Sequence, residues 1–97
     1  MDIVLAKTFL EVIAAGNFVN AARRLNVTQS AVSLRIKKLE DLLGQPVFNR
    51  VKSGTELTAA GRQFERFALS LVRVWEEARH QVSVPCLLYT SPSPRDL

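Results

Sequence analysis

One stretch of the sequence, residues 28–43, most constrains how this chain can fold. Its apolar residues recur at spacings of three and four, which places them on one side of a helix: Val32, Ile36, Leu39 and Leu43. Thr28 precedes the stretch and can cap the first turn through its hydroxyl oxygen, while Gly44 follows it and can take the left-handed conformation that ends a helix. The pattern predicts an amphipathic helix with defined ends, whose apolar side packs on other helices.

The opposite side of this helix carries short hydrogen-bonding side chains in its first two turns: Gln29, Ser30 and Ser33. Leu34 and Lys37 project from the same side, and Lys38 follows them. Gln and Ser side chains can hydrogen-bond to the edges of bases, and Lys side chains can reach phosphates. This arrangement is typical of a DNA recognition helix.

Positive charge is concentrated around the same helix. The whole chain has a formal net charge of +4. Residues 23–52 hold seven basic and two acidic side chains, a local balance of +5, so the rest of the chain carries −1. A local excess of this kind is typical of a surface that meets a phosphate backbone. The alternative is that these Lys and Arg side chains only solvate the surface of helices.

Length and composition indicate one small folded domain. The chain has 97 residues, of which 47% are hydrophobic and 23% are charged, a composition typical of a folded globular chain and not of one disordered throughout. A domain of this size buries only about 60% of its unfolded surface, which favours stabilisation by a partner chain. Cys86 is the only cysteine, so no internal disulfide is possible. The chain lacks a secretory signal pattern and an apolar run of membrane-spanning length, so we expect a cytoplasmic protein without a membrane partner.

Two shorter helices precede the recognition helix. The first extends over residues 3–15 and is stopped by Gly16; its apolar face consists of Leu5, Phe9, Val12 and Ile13. Asn17 can cap the second helix, which extends to Leu25 and turns Phe18, Ala21, Ala22 and Leu25 inward. Residues 26–27 then form a tight turn into Thr28. This succession predicts a helix-turn-helix.

A small hairpin is expected after the recognition helix. Pro46 prevents the helix from continuing, residues 47–51 have the character of a strand, and residues 56–57 form a short returning strand after a turn. Such a hairpin is a wing, and its basic residues Arg50 and Lys52 could lie on phosphates or in a minor groove. A surface hairpin with no role in binding is the alternative.

A long final helix follows Thr58 and extends from about residue 59 to residue 81. Its apolar residues follow steps of three and four: Phe64, Phe67, Ala68, Leu71, Trp75 and Ala78. This stripe is longer than a small core can cover, so we expect its outer part to pair with the same helix of a second chain. The fold class is therefore mainly α, a winged helix-turn-helix with a three-helix core and a β-hairpin wing, followed by a long linker helix.

The sequence after this helix has a different character. Pro85 ends the periodic pattern, and Pro then alternates with Ser up to Pro94. The run resembles the translation of a sequencing-library adaptor, and a natural disordered linker is the alternative. We therefore divide the chain into a DNA-binding domain (1–58), a linker and dimerisation helix (59–82) and a non-native or disordered tail (83–97).

Several motifs carry a family resemblance in their order and spacing. They are Phe9 with Gly16-Asn17-Phe18 and Ala21-Ala22; residues 25–33; Leu39-Glu40 with Leu43-Gly44 and Val47-Phe48-Asn49-Arg50; and residues 57–61. Together they resemble the amino-terminal winged helix-turn-helix of LysR-type transcriptional regulators, over about residues 1–82. The resemblance implies a bacterial regulator that binds an interrupted palindrome in double-stranded DNA as a homodimer or a dimer of dimers.

The same resemblance implies that the final helix pairs subunits and that a larger carboxy-terminal domain binds a small-molecule inducer. That domain is not in this chain, which we therefore expect to be a truncated DNA-binding part that needs no cofactor. The dimerisation residues would be Phe64, Phe67, Leu71, Trp75 and Ala78.

Site residues are carried over from the family by position. Gln29, Ser30 and Ser33 would lie in the major groove, while Thr28 caps the helix and touches phosphate. Arg50 would contact the backbone from the wing, and Thr58 would cap the linker helix near the DNA. The predicted DNA-binding residues are Thr28, Gln29, Ser30, Ser33, Leu34, Arg35, Lys37, Lys38, Arg50, Lys52 and Thr58.

One pair departs from the family pattern. The family often has Arg followed by Gln where this chain has Leu34-Arg35. Leucine cannot make the bidentate contact to guanine that arginine makes, but it can pack on the methyl group of thymine. Arg35 falls nearer the buried edge of the helix, where it either reaches round to phosphate or pairs with an acid inside the domain.

An enzyme is not expected. His80 is the only histidine, and no Ser or Thr has a histidine partner within a plausible site. We expect Glu40 and Asp41 to form surface ion pairs with the lysines before them, and Glu76 and Glu77 to be solvated. No metal site is expected. The main rival is a protein-interaction module, which would have little reason to carry the polar recognition face and the local positive charge.

Overall fold

A computed structural model describes residues 2–52 and 54–83. Across these residues the chain forms four helices and a two-stranded antiparallel sheet: α1 (Ile3–Ala15), α2 (Phe18–Leu25), α3 (Gln29–Leu43), β1 (Phe48–Val51), β2 (Gly54–Leu57) and α4 (Ala59–Ser83). This is the winged helix-turn-helix with a long final helix that the sequence predicts. Residues 84–97, which hold Cys86 and nearly all of the predicted tail, lie outside the described residues.

Local capping explains where the helices begin and end. The side chains of Asn17 and Thr28 accept hydrogen bonds from the backbone N–H groups of Asn20 and Ala31, at 2.7 and 3.1 Å. The turn between α2 and α3 contains Asn26 in the left-handed conformation, with φ 60°, a conformation that Asn tolerates better than most residues. The two side-chain caps satisfy backbone N–H groups in the first turns of α2 and α3. The caps at Asn17, Thr28 and Gly44 are those that the sequence predicts.

The core lies where α1 crosses the other helices. Phe9 is fully buried, with its ring centroid 5.1 Å from that of Phe64 on α4 and 5.3 Å from that of Phe48 on β1. The apolar face of α3 is buried through Val32, Ile36 and Leu39. Leu43, the last residue of the predicted stripe, is 38% exposed, so the buried face ends one turn earlier than the sequence pattern implies. Val47, beyond the turn at Gly44, is fully buried instead.

The wing is longer than expected on its returning side. Phe48 pairs with Leu57, and Arg50 with Thr55, so Gly54 and Thr55 belong to β2 rather than to the turn. The physical reason is a contact outside the hairpin: the backbone N–H of Thr55 donates to the carbonyl oxygen of Gly16 at 3.1 Å. A Cβ atom at Gly54 would lie 2.5 Å from that same oxygen, so only glycine allows this approach.

The start of α4 is held against the chain that leads into the wing. Thr58 Oγ1 accepts from the N–H of Gly61 at 3.0 Å, which confirms the predicted cap, and donates to the carbonyl oxygen of Pro46 at 2.7 Å. A Cβ atom at Gly61 would lie 2.2 Å from the carbonyl oxygen of Val47, so this crossing also requires glycine.

Helix α4 extends well past the core. Its 25 residues make a rod about 37 Å long at 1.5 Å per residue. Only its first half contributes buried side chains, Phe64 and Ala68. Phe64, which the sequence assigned to dimerisation, is 7% exposed and packs edge-on against Phe9 of its own domain. None of the helices in the described ranges is long and apolar enough to cross a membrane.

Candidate nucleic-acid interface

The outward side of α3 presents the predicted recognition face. Gln29 and Ser30 are exposed and Ser33 is half-buried, all within the first two turns. Leu34 is 56% exposed, although it is a large apolar side chain. The cap formed by Thr28 fixes the first turn, so these side chains leave a defined backbone. The face therefore offers hydrogen-bonding groups next to one apolar group, which is the chemistry that base edges and thymine methyl groups present in the major groove.

The wing brings a positive charge to this face. Arg50 lines a surface hollow together with residues of α3, and this recognition hollow is bordered by Gln29, Ser30, Ser33, Leu34 and Arg50. Arg50 is exposed, and its guanidinium carbon lies 4.8 Å from the centre of the Phe18 ring. The structure thus brings together the α3 residues predicted for base contacts and the wing arginine predicted for phosphate.

A second hollow adjoins the first on the side of α2. Its lining consists of Asn17, Phe18, Val19, Gln29, Arg50, Val51, Lys52, Gly54 and Thr55. Because Gln29 and Arg50 border both hollows, the start of α2, the start of α3 and the wing form one continuous surface. Lys52 is exposed at the wing tip and adds a second positive charge. Such a surface can meet bases through α3 and phosphates on either side.

Three hydrogen bonds attach the hairpin to the helices, two at the corner between α1 and α2 and one at α3. Thr55 uses both its backbone N–H and its hydroxyl to donate to the carbonyl oxygen of Gly16, at 3.1 and 3.2 Å. At the other end of the hairpin, Glu40 Oε2 accepts from the backbone N–H of Val47 at 2.9 Å. The sequence predicted that Glu40 would pair with a lysine on the helix surface, and this prediction is wrong because the loop after Gly44 folds back onto the carboxylate.

Some of the predicted DNA-binding residues are engaged within the domain. Arg35 Nη1 donates to the hydroxyl of Thr8 on α1 at 3.4 Å, so Arg35 faces α1 and its partner is a hydroxyl rather than an acid. Lys37 lies 3.6 Å from Asp41 in an exposed ion pair, as expected. Lys38 is exposed, whereas the hydroxyl of Thr58 is occupied by its two hydrogen bonds.

An apolar groove lies at the other end of the molecule, between α4 and the start of α1. It is lined by Asp2, Ile3, Phe67, Ser70, Leu71, Val74, Trp75 and Ala78. Four of the five residues predicted for dimerisation are therefore together on it, and Phe64 is not. Phe67 is 63% exposed and Trp75 44% exposed, which is unusual for side chains of this size. Asp2 carries the only ionisable side chain in this lining.

An ion-pair cluster beside this groove joins α1 to α4. Glu76 lies 2.9 Å from Lys7 and also accepts a hydrogen bond from Arg79. The hydrogen bonds from Arg79 and Lys7 hold the pKa of Glu76 at about 2, below its usual value of 4.5. Glu76 was expected to be a solvated residue of the helix surface, and its contact with Lys7 corrects that expectation. Within residues 2–52 and 54–83, no group of three or more His, Cys, Asp or Glu side chains could hold a metal ion.

Phe18 is a site residue that the sequence reasoning missed. The helical pattern predicts its burial, and it is only 8% exposed. The pattern gives no sign that the ring also lies under Arg50, because the two residues are far apart in the sequence and meet only when the hairpin folds back. The available signal was an aromatic residue at the start of α2 combined with a basic residue on the strand that follows α3.

A helix-turn-helix with a wing and a polar, partly cationic recognition face defines this chain as a DNA-binding domain. Residues 3–62 match the family model described as bacterial regulatory helix-turn-helix protein, lysR family. The chain therefore belongs to the LysR family of transcriptional regulators, as its motifs predicted.

Curated relatives support this assignment. The chain is 46% identical over 83 residues to the HTH-type transcriptional regulator HdfR of Escherichia coli O139:H28 (strain E24377A / ETEC), covering 86% of this chain and 30% of the relative. The corresponding HdfR of Escherichia fergusonii shows the same identity and coverage. The chain thus spans 30% of the length of these relatives. They are named as transcriptional regulators rather than enzymes, in agreement with the sequence analysis.

Solved structures with the same fold include two complexes with DNA. Vibrio fischeri DarR in complex with DNA superposes with a TM-score of 0.85 at 34% identity, over 93% of this chain and 31% of that one. The DNA-binding domain of CbnR in its DNA complex superposes with a TM-score of 0.80 at 33% identity, over 84% of this chain and 94% of that one. The winged helix-turn-helix assignment is thereby confirmed.

Proposed function

We propose that this chain recognises specific DNA sequences as the DNA-binding part of a dimeric transcriptional regulator. Residues 1–58 form the DNA-binding domain and residues 59–82 the linker helix. Helix α3 enters the major groove, and the wing lies on the backbone or in the adjacent minor groove. The observation that carries this proposal is the recognition hollow, which the outward residues of α3 and Arg50 of the wing line together.

The two elements have different tasks. Gln29, Ser30 and Ser33 hydrogen-bond to base edges, and Leu34 packs on a thymine methyl group, so α3 supplies sequence preference. Arg50 and Lys52 neutralise phosphates and contribute similarly to all sequences. Lys38, which is exposed, adds a phosphate contact from α3 itself. Arg35 directs Nη1 to the hydroxyl of Thr8, and the other N–H groups of its guanidinium supply a phosphate contact at the edge of the helix.

A second copy of the chain covers the apolar groove. Phe67, Leu71 and Trp75 recur every four residues along α4 and point into one groove. A helix with such a stripe is complementary to the same helix of a second copy, which gives a two-fold dimer. The near absence of charge from the groove favours burial over solvation. In a dimer, the α3 helix of each chain can bind one half of a palindrome.

The remainder of a full-length regulator would supply the inducer site and a dimer of dimers. DNA is the partner of the present chain, which would act in the bacterial cytoplasm where that DNA lies. No cofactor is required, because binding uses only side chains of α3, the wing and α4.

Fluorescence anisotropy tests this function directly. A palindromic duplex is first selected from a random pool with the full 97-residue chain. Binding to this duplex and to a scrambled duplex is then measured at low and at physiological salt. We expect the selected duplex to bind more tightly and both affinities to fall steeply with salt, because bound counterions are released when phosphates are neutralised. A folded dimer that binds neither duplex would contradict the proposal and favour a protein-docking role.

A further inference from the structure

The guanidinium of Arg50 rests on an aromatic ring. Its central carbon lies 4.8 Å from the centroid of Phe18, within the range of a favourable contact between a cation and a π system. Among the described residues Arg50 forms no ion pair with Asp or Glu, so no acid competes with DNA for its charge. The ring therefore orients the guanidinium without neutralising it.

The Phe18 ring is itself held by the core. It meets the ring of Phe48 edge-on, with centroids 6.0 Å apart, and Phe48 lies 5.3 Å from the fully buried ring of Phe9. The N-terminal cap of Asn17 fixes the backbone immediately before Phe18. The ring of Phe18 is therefore held in place by the ring of Phe48, which packs on the core, and by the capped backbone at Asn17.

The strand opposite Arg50 is anchored at the same corner of the domain. Arg50 pairs with Thr55 across the hairpin, and Thr55 donates two hydrogen bonds to the carbonyl oxygen of Gly16. Both strands of the wing are thus attached to residues 16–18, the corner between α1 and α2. This corner touches the wing at its middle, where Arg50 turns toward the recognition hollow.

We propose that Phe18 is a positioning residue that holds Arg50 ready for DNA. A free arginine on a surface strand loses side-chain entropy when it binds a phosphate, and an arginine already seated on a ring loses less. Phe18 therefore increases affinity through Arg50, although it is almost entirely buried. This inference rests on the proposed function, in which Arg50 contacts the DNA backbone.

A double-mutant cycle separates positioning from packing. The full chain and the variants Phe18→Leu, Arg50→Ala and the double substitution are titrated with the selected duplex. Leucine keeps an apolar side chain in the core but removes the π face. We expect Phe18→Leu to weaken binding about threefold to tenfold when Arg50 is present. With Arg50→Ala in place the same change should alter affinity by less than about 1.5-fold, because nothing is left to position. Phe18→Tyr keeps the ring and should bind like the unaltered chain.

The cycle distinguishes two failures. If Arg50→Ala does not weaken binding, the proposed contact of the wing with DNA is wrong. If Arg50→Ala weakens binding but Phe18→Leu acts equally in both backgrounds, the wing contact stands and the positioning role is overturned.

A measurement on the unaltered chain avoids any folding defect of Phe18→Leu. The side-chain protons of Arg50 that lie over the ring should show upfield NMR shifts from the ring current in the unaltered chain, and Phe18→Tyr, which keeps the ring, should retain these shifts. Random-coil positions for those protons in the unaltered chain would contradict the inference.

Discussion

The backbone N–H of Val47 donates a 2.9 Å hydrogen bond to Oε2 of Glu40, and this bond joins the recognition helix to the segment that enters the wing. Val47 is fully buried, so its N–H has poor access to water. We predict that Glu40→Ala lowers the free energy of unfolding by about 1–3 kcal/mol, since a buried donor loses its acceptor. Urea denaturation measures the loss.

Asp41→Ala is the matched control for this change. Asp41 is the next residue on α3, and its ion pair with Lys37 is exposed on both sides. The control should cost less than about 0.5 kcal/mol. Equal losses for the two substitutions would mean that Glu40 acts only as a surface charge.

Gly54→Ala should loosen the wing. The residue has a φ of 139°, which side chains rarely adopt, and an added Cβ would lie 2.5 Å from the carbonyl oxygen of Gly16. We expect a loss of about 2–4 kcal/mol in stability, or a displaced wing with weakened DNA binding. Unfolding curves and anisotropy with the selected duplex distinguish these results.

Gly44→Ala isolates the backbone part of this effect. Gly44 has a φ of 74°, but nothing lies within 4 Å of its added Cβ. We expect a cost of about 1–2 kcal/mol from the left-handed conformation alone. The account of the wing anchor fails if the two glycine variants lose the same stability and bind DNA equally well.

Leu71→Glu should separate the proposed dimer. Leu71 lines the apolar groove and is 41% exposed in the single chain. A carboxylate buried there without a partner should raise the dissociation constant of the dimer by at least about 30-fold. Sedimentation equilibrium measures this constant.

Leu69→Glu is the control for Leu71→Glu, because it adds the same charge to α4 outside the groove. Leu69 lies on the same helix and is 55% exposed, but it is not part of the groove lining. We expect this variant to dimerise like the unaltered chain. A specific homodimer should have formed at a protein concentration on the order of 100 μM. If the unaltered chain is folded but still monomeric at that concentration, the pairing of α4 is refuted.

Acid should weaken the attachment of α4 to α1. The folded-state pKa of Glu76 is about 2, below its usual value of 4.5. A lowered pKa means that the ion pairs stabilise the fold above about pH 4.5 and that this contribution disappears as the pH falls toward 2. We predict that the stability difference between the unaltered chain and Glu76→Gln shrinks over this range. Thermal unfolding at several pH values measures it.

Glu77→Gln is the control for the acid effect. Glu77 is exposed and adjacent to Glu76, and it forms no ion pair within the described ranges. Its substitution should leave the pH dependence of unfolding close to that of the unaltered chain. A constant difference between Glu76→Gln and the unaltered chain from pH 6 to pH 2 would contradict the role of the Arg79 and Lys7 contacts in lowering the pKa of Glu76.

The sequence predicted the parts of the fold that depend on local patterns. The spacing of apolar residues and the caps at Asn17, Thr28 and Gly44 were sufficient for α1, α2 and α3, because each signal lies within a few residues of its effect. Pro46 and the strand-like residues that follow it predicted the wing. The order and spacing of the motifs along the chain predicted the family.

Contacts between distant segments could not be predicted in the same way. The carboxylate of Glu40 has two possible partners, a nearby lysine of α3 and the backbone N–H of Val47. The N–H of Val47 becomes the partner only when the loop after Gly44 has folded back. Phe64 belongs to the same periodic stripe as Phe67, yet Phe64 lies in the core of the domain and Phe67 is 63% exposed, a difference that periodicity alone does not reveal. Phe18 under Arg50 likewise depends on how the hairpin returns.

The most direct test of the central claim compares a residue of α3 that we propose to contact bases with the arginine of the wing. Affinities for the selected and scrambled duplexes are measured by anisotropy for Ser33→Ala or Gln29→Ala and for Arg50→Ala. The α3 variants should lose about 1–3 kcal/mol of preference for the selected duplex while binding the scrambled duplex nearly unchanged. Arg50→Ala should weaken both duplexes about equally and reduce the salt slope by about one. If both kinds of variant lowered the two affinities in the same ratio, the division between a base-contacting helix and a phosphate-contacting wing would be wrong.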